Sequence, residues 1–447
     1  MIRAAELGSA RVSRRVPHAL GPRRGWTPSD GATFCLADYD AVGFDLDNTL
    51  ARYRLPALFE LVHGSVREHL DKGASRRADG SSWPSARGFS HKGLLLDKKR
   101  GLLVKFDARG RVGRAYRGFA RLSAAEAEQL DREYAGLQFQ SDLRPSEEWF
   151  HFADYFTTPV QVLFADMVAR AKPEASAEPL WHDLFEGIVH FYRPDGPRAR
   201  TLLQTPDKLV RPCPKSVTAW IHSLREAGTR TFLLTGSEPA LAIAIASHTL
   251  GPQWRDLFDL VVMGANKPAF FSDTSMSFKA VKDDGSLRAL GHSEELKPGV
   301  LYCGGNWTAL CEHGLGFCNT LYFGDSLIDD TVAAHGCCDS VTVVEELAAE
   351  ATLEDGGPSV LEGAEYLLSK AWGSVFVSPK GPSYFTKALC GGAKLAISDV
   401  SQLTKLSRSA RVPAFDGQVS ICGFYPSPPE SLVAVLALPS SENAGAL

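Results

Sequence analysis

A short apolar run that stops abruptly at a carboxylate constrains this chain more than any other feature. Val42, Gly43 and Phe44 lead into Asp45, and Leu46, Asp47, Asn48, Thr49 and Leu50 follow. The lead-in predicts a buried strand with Asp45 at its C-terminal end. Open α/β sheets gather their ligands at that end. Asp47 lies two residues on, so a bent backbone brings a second carboxylate to the same point. Taken alone, the stretch is equally readable as an Asp-rich structural turn.

Three further stretches repeat the theme. Thr231–Leu234 reads as a strand ending at Thr235, with Gly236 and Ser237 offering a hydroxyl and free backbone N–H groups to an oxyanion. The plain alternative is a helix cap. Lys267 follows the apolar run Leu260–Met263 and stands beside Pro268, which fits a fixed positive charge as well as a solvated lysine. Thr320–Gly324 reads as a strand ending at Asp325, with Asp329 and Asp330 at a helix start. Hard oxygen ligands clustered in this way suit Mg²⁺, and acids at a helix N-terminus are the bland reading. Each stretch has an ordinary explanation, but their order along the chain does not.

In that order the four stretches resemble the motifs of the haloacid dehalogenase-like phosphohydrolases. The resemblance narrows to the cytosolic purine 5′-nucleotidase family. It is carried by Lys92–Asp97 with Gly101–Gly110, read as a hairpin, by Tyr155–Pro159, by Lys267–Phe271 and by Tyr302–Gly305. The C-terminal Trp372–Phe376 and Gly423–Pro429 resemble the 5′-nucleotidase domain-containing protein 1 group. The similarity runs from about residue 35 to the C-terminus.

The resemblance implies hydrolysis of a nucleoside 5′-monophosphate or a similar small phosphate ester through an aspartyl-phosphate. Asp45 would be the nucleophile and Asp47 the general acid, then the base for water. Thr235 would hold a phosphate oxygen and Lys267 would balance charge. Mg²⁺ would lie among Asp45, the backbone carbonyl of Asp47, Asp325 and Asp330, with Asp329 competing for the last place. Asn48, Gly236 and Ser237 would line the phosphate, and Phe156 and His190 the leaving group. Phe156 reads equally as buried packing. The family's purine-selective members carry an Arg and an Asp just before the histidine that His190 matches. Without gaps, Asp183 and Gly187 stand there, so purine selectivity is not implied.

The chain has 447 residues, too many for one compact core. The expected fold is α/β: a doubly wound, mostly parallel sheet with a large inserted α+β cap. Residues 35–56 and 212–345 would form the core, 57–211 the cap, and 346–447 a C-terminal extension partly returning to the core. Within these, 73–87 reads as mobile, 345–358 as a linker and Trp372–Val377 as an edge strand. Residues 1–34 are basic and loop-like. An extension is the favoured reading and an Arg-rich mitochondrial transit segment the other.

A net charge of −4 gives no general pull toward nucleic acid. No apolar run approaches the roughly 20 residues that span a bilayer. Nine cysteines, without CxxC spacing, fit a reducing compartment and a cytoplasmic setting. The expected partner is a small phosphorylated metabolite, a nucleotide first, and the family resemblance implies self-association. Two other functions compete: a regulatory protein that binds such metabolites without turnover, and a phosphotransferase passing the phosphoryl group to a nucleoside. An intact Asp47 opposes the first, since a pure binder has no use for a general acid.

Overall fold

The computed structural model describes residues 32–438 apart from 74, 76–81, 136–145, 147, 292–293 and 355–360. Nearly all of the basic N-terminal stretch, and much of the 73–87 segment expected to be mobile, therefore lie outside the described residues.

The expected alternation of strands and helices yields a ten-stranded sheet. Eight strands run parallel in the order Leu301–Gly304, Leu260–Met263, Arg230–Leu234, Ala41–Phe44, Thr320–Gly324, Asp339–Val343, Leu395–Ile397 and Phe424–Tyr425. Phe278–Val281 and Leu287–Ala289 add an antiparallel edge beyond Leu301–Gly304. The strands are short, and successive side chains serve different apolar clusters. Val42, Phe44, Leu233, Val261, Leu321 and Phe323 face one layer. Ala41, Phe232, Leu234, Leu260, Val262 and Tyr322 face another. The helix Lys215–Glu226 covers the first through Val217, Trp220, Ile221 and Leu224. Trp307, Leu310 and Leu315 cover the second. A sheet buried on both faces is the doubly wound arrangement.

Between the Ala41–Phe44 and Arg230–Leu234 strands lies a second sheet, fully antiparallel. Its order is Ala120–Arg121, Val112–Arg117, Leu102–Phe106, Leu94–Asp97 and Trp149–Phe152. The hairpin expected from residues 92–110 is its centre. One face, with Leu94, Leu96, Leu103, Phe150 and Phe152, packs on Phe164, Trp181 and the helix Leu55–Lys72. The other, with Leu95, Val104, Phe106 and Val112, packs on Phe376, Phe385, Leu389, Phe415 and Phe424 of the C-terminal region. The inserted sheet is thus clamped between its own helices and a segment that also extends the main sheet.

Two local readings differ from the structure. The stretch read as a linker forms the helix Glu346–Glu354, because Glu346, Glu350 and Ala349 are buried and tie the helix inward. Trp372–Val377 does not return as an edge strand of the main sheet. Val377–Ser378 pairs only with Gly381–Pro382, while Leu395–Ile397 and Phe424–Tyr425 take the sheet positions. At the other end of the described chain, Thr33–Cys35 pairs with Arg411–Pro413, so strand pairing is already present just before residue 35.

Candidate active site

The four motif stretches converge at the C-terminal edge of the central strands. Asp45 follows Ala41–Phe44, and its N–H donates to Phe323 of the neighbouring strand at 2.7 Å. Lys267 reaches across to it, with Nζ 3.0 Å from Asp45 Oδ1, 2.5 Å from Asp330 Oδ1 and 3.1 Å from the Tyr322 hydroxyl. Tyr322 in turn donates to the Leu234 carbonyl at 2.9 Å. Asp45, Asp325, Asp330 and Lys267 are all buried.

Burial pushes the Asp45 carboxyl up to about 8, with Lys267 pulling it down and Asp330 and Asp47 pushing it further up. Asp325 is pushed well up, first by burial, and its Oδ2 is a buried atom without a partner. Asp329 rises to about 7 for the same first reason. Oxygens of Asp45, Asp325 and Asp330 lie within 4.8 Å of one another. A compact set of buried carboxylates, one oxygen of it orphaned, fits a hard divalent cation. Asp330 joins this set; Asp329 does not.

Gly324 makes room for Asp330. A Cβ at position 324 would lie 2.4 Å from the Asp330 Cβ and Cγ. The π-helical turn Leu327–Val332 carries the aspartate inward, and the Ser326 N–H donates to Asp330 Oδ2 at 3.0 Å.

Asp47 sits in a second knot. The Tyr53 hydroxyl donates to its Oδ1 at 2.6 Å, and the Ser237 hydroxyl to its Oδ2 at 2.6 Å. Arg198 Nη2 lies 3.3 Å from Oδ1 and 2.9 Å from the Ser237 hydroxyl. The bend that allows this is at Asn48, whose φ is +54°, a left-handed conformation that Asn tolerates better than most residues. The Asn48 side chain is buried, and neither its oxygen nor its nitrogen has a partner. Thr235 Oγ1 accepts from the Ser237 N–H at 3.1 Å, and Gly236 passes close to the Ala265 carbonyl.

The leaving-group candidates divide. Phe156 is buried, with its ring 5.3 Å from Tyr53 and 6.0 Å from Tyr192, and the Arg198 guanidinium stands 5.2 Å from its centroid. It adjoins the Asp47 knot, but a cation already uses its surroundings. His190 instead stacks on His69 at 6.0 Å. Asp183 accepts from Ser75 at 2.7 Å. A side chain at Gly187 would meet Val66 at 3.0 Å and His69 at 3.4 Å on the helix Leu55–Lys72. Gly187 thus lies against the helix Leu55–Lys72, and Asp183 bonds the segment just after it.

Sequence reasoning missed Arg198, Tyr53 and Tyr322. Tyr322 left a faint signal: a hydroxyl in an apolar strand, three residues before Asp325. Arg198 left none, since one arginine among many at the start of Pro197–Gln204 is unremarkable until the chain folds.

A doubly wound sheet with these motifs gathered in this order at one edge defines a haloacid dehalogenase-like protein. Within that class the chain belongs to the 5′ nucleotidase family, whose pattern matches residues 32–357, and it is a phosphatase acting on phosphoric monoesters. It is 29% identical over 448 residues to 5′-nucleotidase domain-containing protein 1 of Bos taurus, covering 89% of this chain and 96% of the relative. The Homo sapiens protein of the same name is 27% identical over 443 residues, with the same coverage. The human 5′-nucleotidase domain-containing protein 2 is 30% identical over 315 residues, covering 66% of this chain and 58% of the relative. Among the described residues no helix is long and apolar enough to cross a membrane.

Proposed function

We propose that this chain hydrolyses a nucleoside 5′-monophosphate, or a similarly small phosphate ester, by a Mg²⁺-dependent route through an aspartyl-phosphate on Asp45. One observation carries the reading: Asp45, at a strand end, is bound by Lys267 and faces Asp325 and Asp330 across less than 4.8 Å. In-line phosphoryl transfer asks for a fixed nucleophile, neutralised oxygens and a proton for the leaving group.

Asp45 attacks phosphorus. Lys267 holds Asp45 and takes up charge beside the phosphoryl group. Thr235, Gly236, Ser237 and Asn48 donate to the phosphate oxygens; the unpartnered Asn48 amide supports its inclusion. Asp47 delivers the proton to the leaving oxygen and then receives one from water. The residues that would hold Mg²⁺ are Asp45, Asp325 and Asp330, with the Asp47 carbonyl. When bound, the cation supplies charge neutralisation to the transferring group. Arg198, held against Asp47 and Ser237, brings the insert into this region and orients Asp47.

The test is phosphate release from nucleoside monophosphates and sugar phosphates, with and without Mg²⁺, beside the Asp45→Asn protein. Metal-dependent release that Asp45→Asn abolishes is expected. Equal release by the variant would overturn the reading.

A further inference from the structure

The buried acidic cluster has a second cation beside it that the reaction does not use. Lys92 precedes the strand Leu94–Asp97 and is only 3% exposed. Its backbone is fixed from both sides. Gln161 accepts from the His91 N–H at 2.8 Å and donates to the His91 carbonyl at 2.7 Å, and the Gly93 N–H donates to Phe152 at 2.8 Å. The side chain crosses to the main sheet. Its Nζ lies 3.5 Å from the Asp325 carbonyl and 4.4 Å from the centre of the Tyr155 ring, which is held by a 2.8 Å bond to Glu346.

Among the described residues Lys92 has no carboxylate within ion-pair distance. A buried ammonium without a paired anion is costly. The part of the acidic cluster it meets is Asp325, whose carbonyl lies 3.5 Å from the ammonium and whose carboxylate Oδ2 is buried without a partner. Asp45 and Asp330, by contrast, are both paired directly with Lys267, at 3.0 and 2.5 Å. The two lysines therefore divide the cluster, Lys267 serving Asp45 and Asp330, and Lys92 serving Asp325 from the insert side.

We propose that Lys92 is a positioning residue that acts as the built-in counter-ion of Asp325, stabilising the metal-free cluster and lowering its affinity for a divalent cation. The inference rests on the proposed metal site. Its logic is one of sign. A dication entering beside Asp325 brings positive charge toward a fixed ammonium, so removing the ammonium tightens binding, whereas a purely structural lysine would weaken binding on removal. Because Lys92 belongs to the inserted sheet, the arrangement also makes metal affinity depend on how that sheet is seated.

The test uses the full chain and titrates Mg²⁺, and separately Mn²⁺, by calorimetry and by Mn²⁺ electron paramagnetic resonance, without substrate. Lys92→Met should bind roughly tenfold tighter than the wild type, an effect of the size expected for one charge removed near a dication. Lys92→Gln, which keeps a donor for the Asp325 carbonyl and loses only the charge, should match it and serves if Lys92→Met fails to fold. Lys92→Arg should stay near the wild type. Folded Met or Gln variants that bind equally or more weakly overturn the proposal, as does an Arg variant that behaves like them. Asp325→Asn separates the two readings. If it abolishes wild-type binding while the Lys92 variants change nothing, only the counter-ion role fails. If the wild type binds neither cation, the metal site fails and this inference with it.

Discussion

At the scale of single residues, the proposed chemistry depends on carboxylates buried close together. Asp47 accepts from Tyr53 and Ser237 at 2.6 Å each, bonds that hold its carboxyl group toward the site. Asp47→Asn should therefore slow turnover by roughly 10²–10⁴-fold. The loss should be much smaller on aryl phosphates, whose leaving groups need little protonation, than on alkyl esters. Comparing kcat on the two classes checks this, and equal losses would remove Asp47 from the acid role. Gly324 makes a different demand. A Cβ there meets Asp330 at 2.4 Å, and overpacking of this kind costs about 1–3 kcal/mol. Gly324→Ala should lower the melting temperature and weaken Mg²⁺ binding together, because the side chain that must yield is a proposed ligand. Thermal melts and metal titration on one preparation decide it; normal metal affinity would show that Asp330 is not needed there.

At the scale of elements, the helix Pro197–Gln204 and the inserted sheet matter most. Arg198 is 7% exposed, and its guanidinium lies between Phe156 at 5.2 Å and Tyr192 at 5.5 Å. Arg198→Met keeps much of that packing and removes the charge. A hydrogen bond to a charged group is worth about 1.5–3 kcal/mol, so kcat/KM should fall by roughly 10–100-fold. An unchanged kcat/KM would reduce Arg198 to packing. In the strand Trp149–Phe152, His151 is buried with neither ring nitrogen partnered. Burial first, and the charge of Lys92 second, lower its pKa from 6.5 to about 4. Between those values the unfolded imidazole holds a proton that the folded one does not. Stability is therefore full above 6.5 and is lost as pH falls toward 4. Denaturant melts across that window should show the decline, and His151→Phe should flatten it. An equally steep decline in the variant would assign the acid lability elsewhere.

At the scale of the whole molecule, what the sequence made legible is what short-range pattern can carry. The apolar runs before Asp45, Thr235 and Asp325 revealed both the strands and the edge at which they end, because a strand's last residue fixes where its side chain emerges. The hairpin at 94–106 was visible for the same reason. Contacts made by distant segments were not. Nothing near Phe376, Phe385 or Phe424 announces that they cover Val104 and Phe106, and the buried glutamates of Glu346–Glu354 made a packed helix look like a linker. Arg52 illustrates the consequence. It follows the first motif by a few residues, and its guanidinium is held by Glu345 at 2.7 Å and by Asp399, so the C-terminal region reaches the site through a side chain that no local pattern singles out.

The proposed mechanism places the phosphoryl group on Asp45. The most direct measurement is rapid acid quenching of the full chain during turnover with Mg²⁺ and its best substrate, followed by peptide mass spectrometry. One phosphoryl group is expected on the peptide containing Asp45, released by hydroxylamine and absent from the Asp45→Asn protein. Rapid turnover in which Asp45 never becomes labelled, or label on any other side chain, would contradict it.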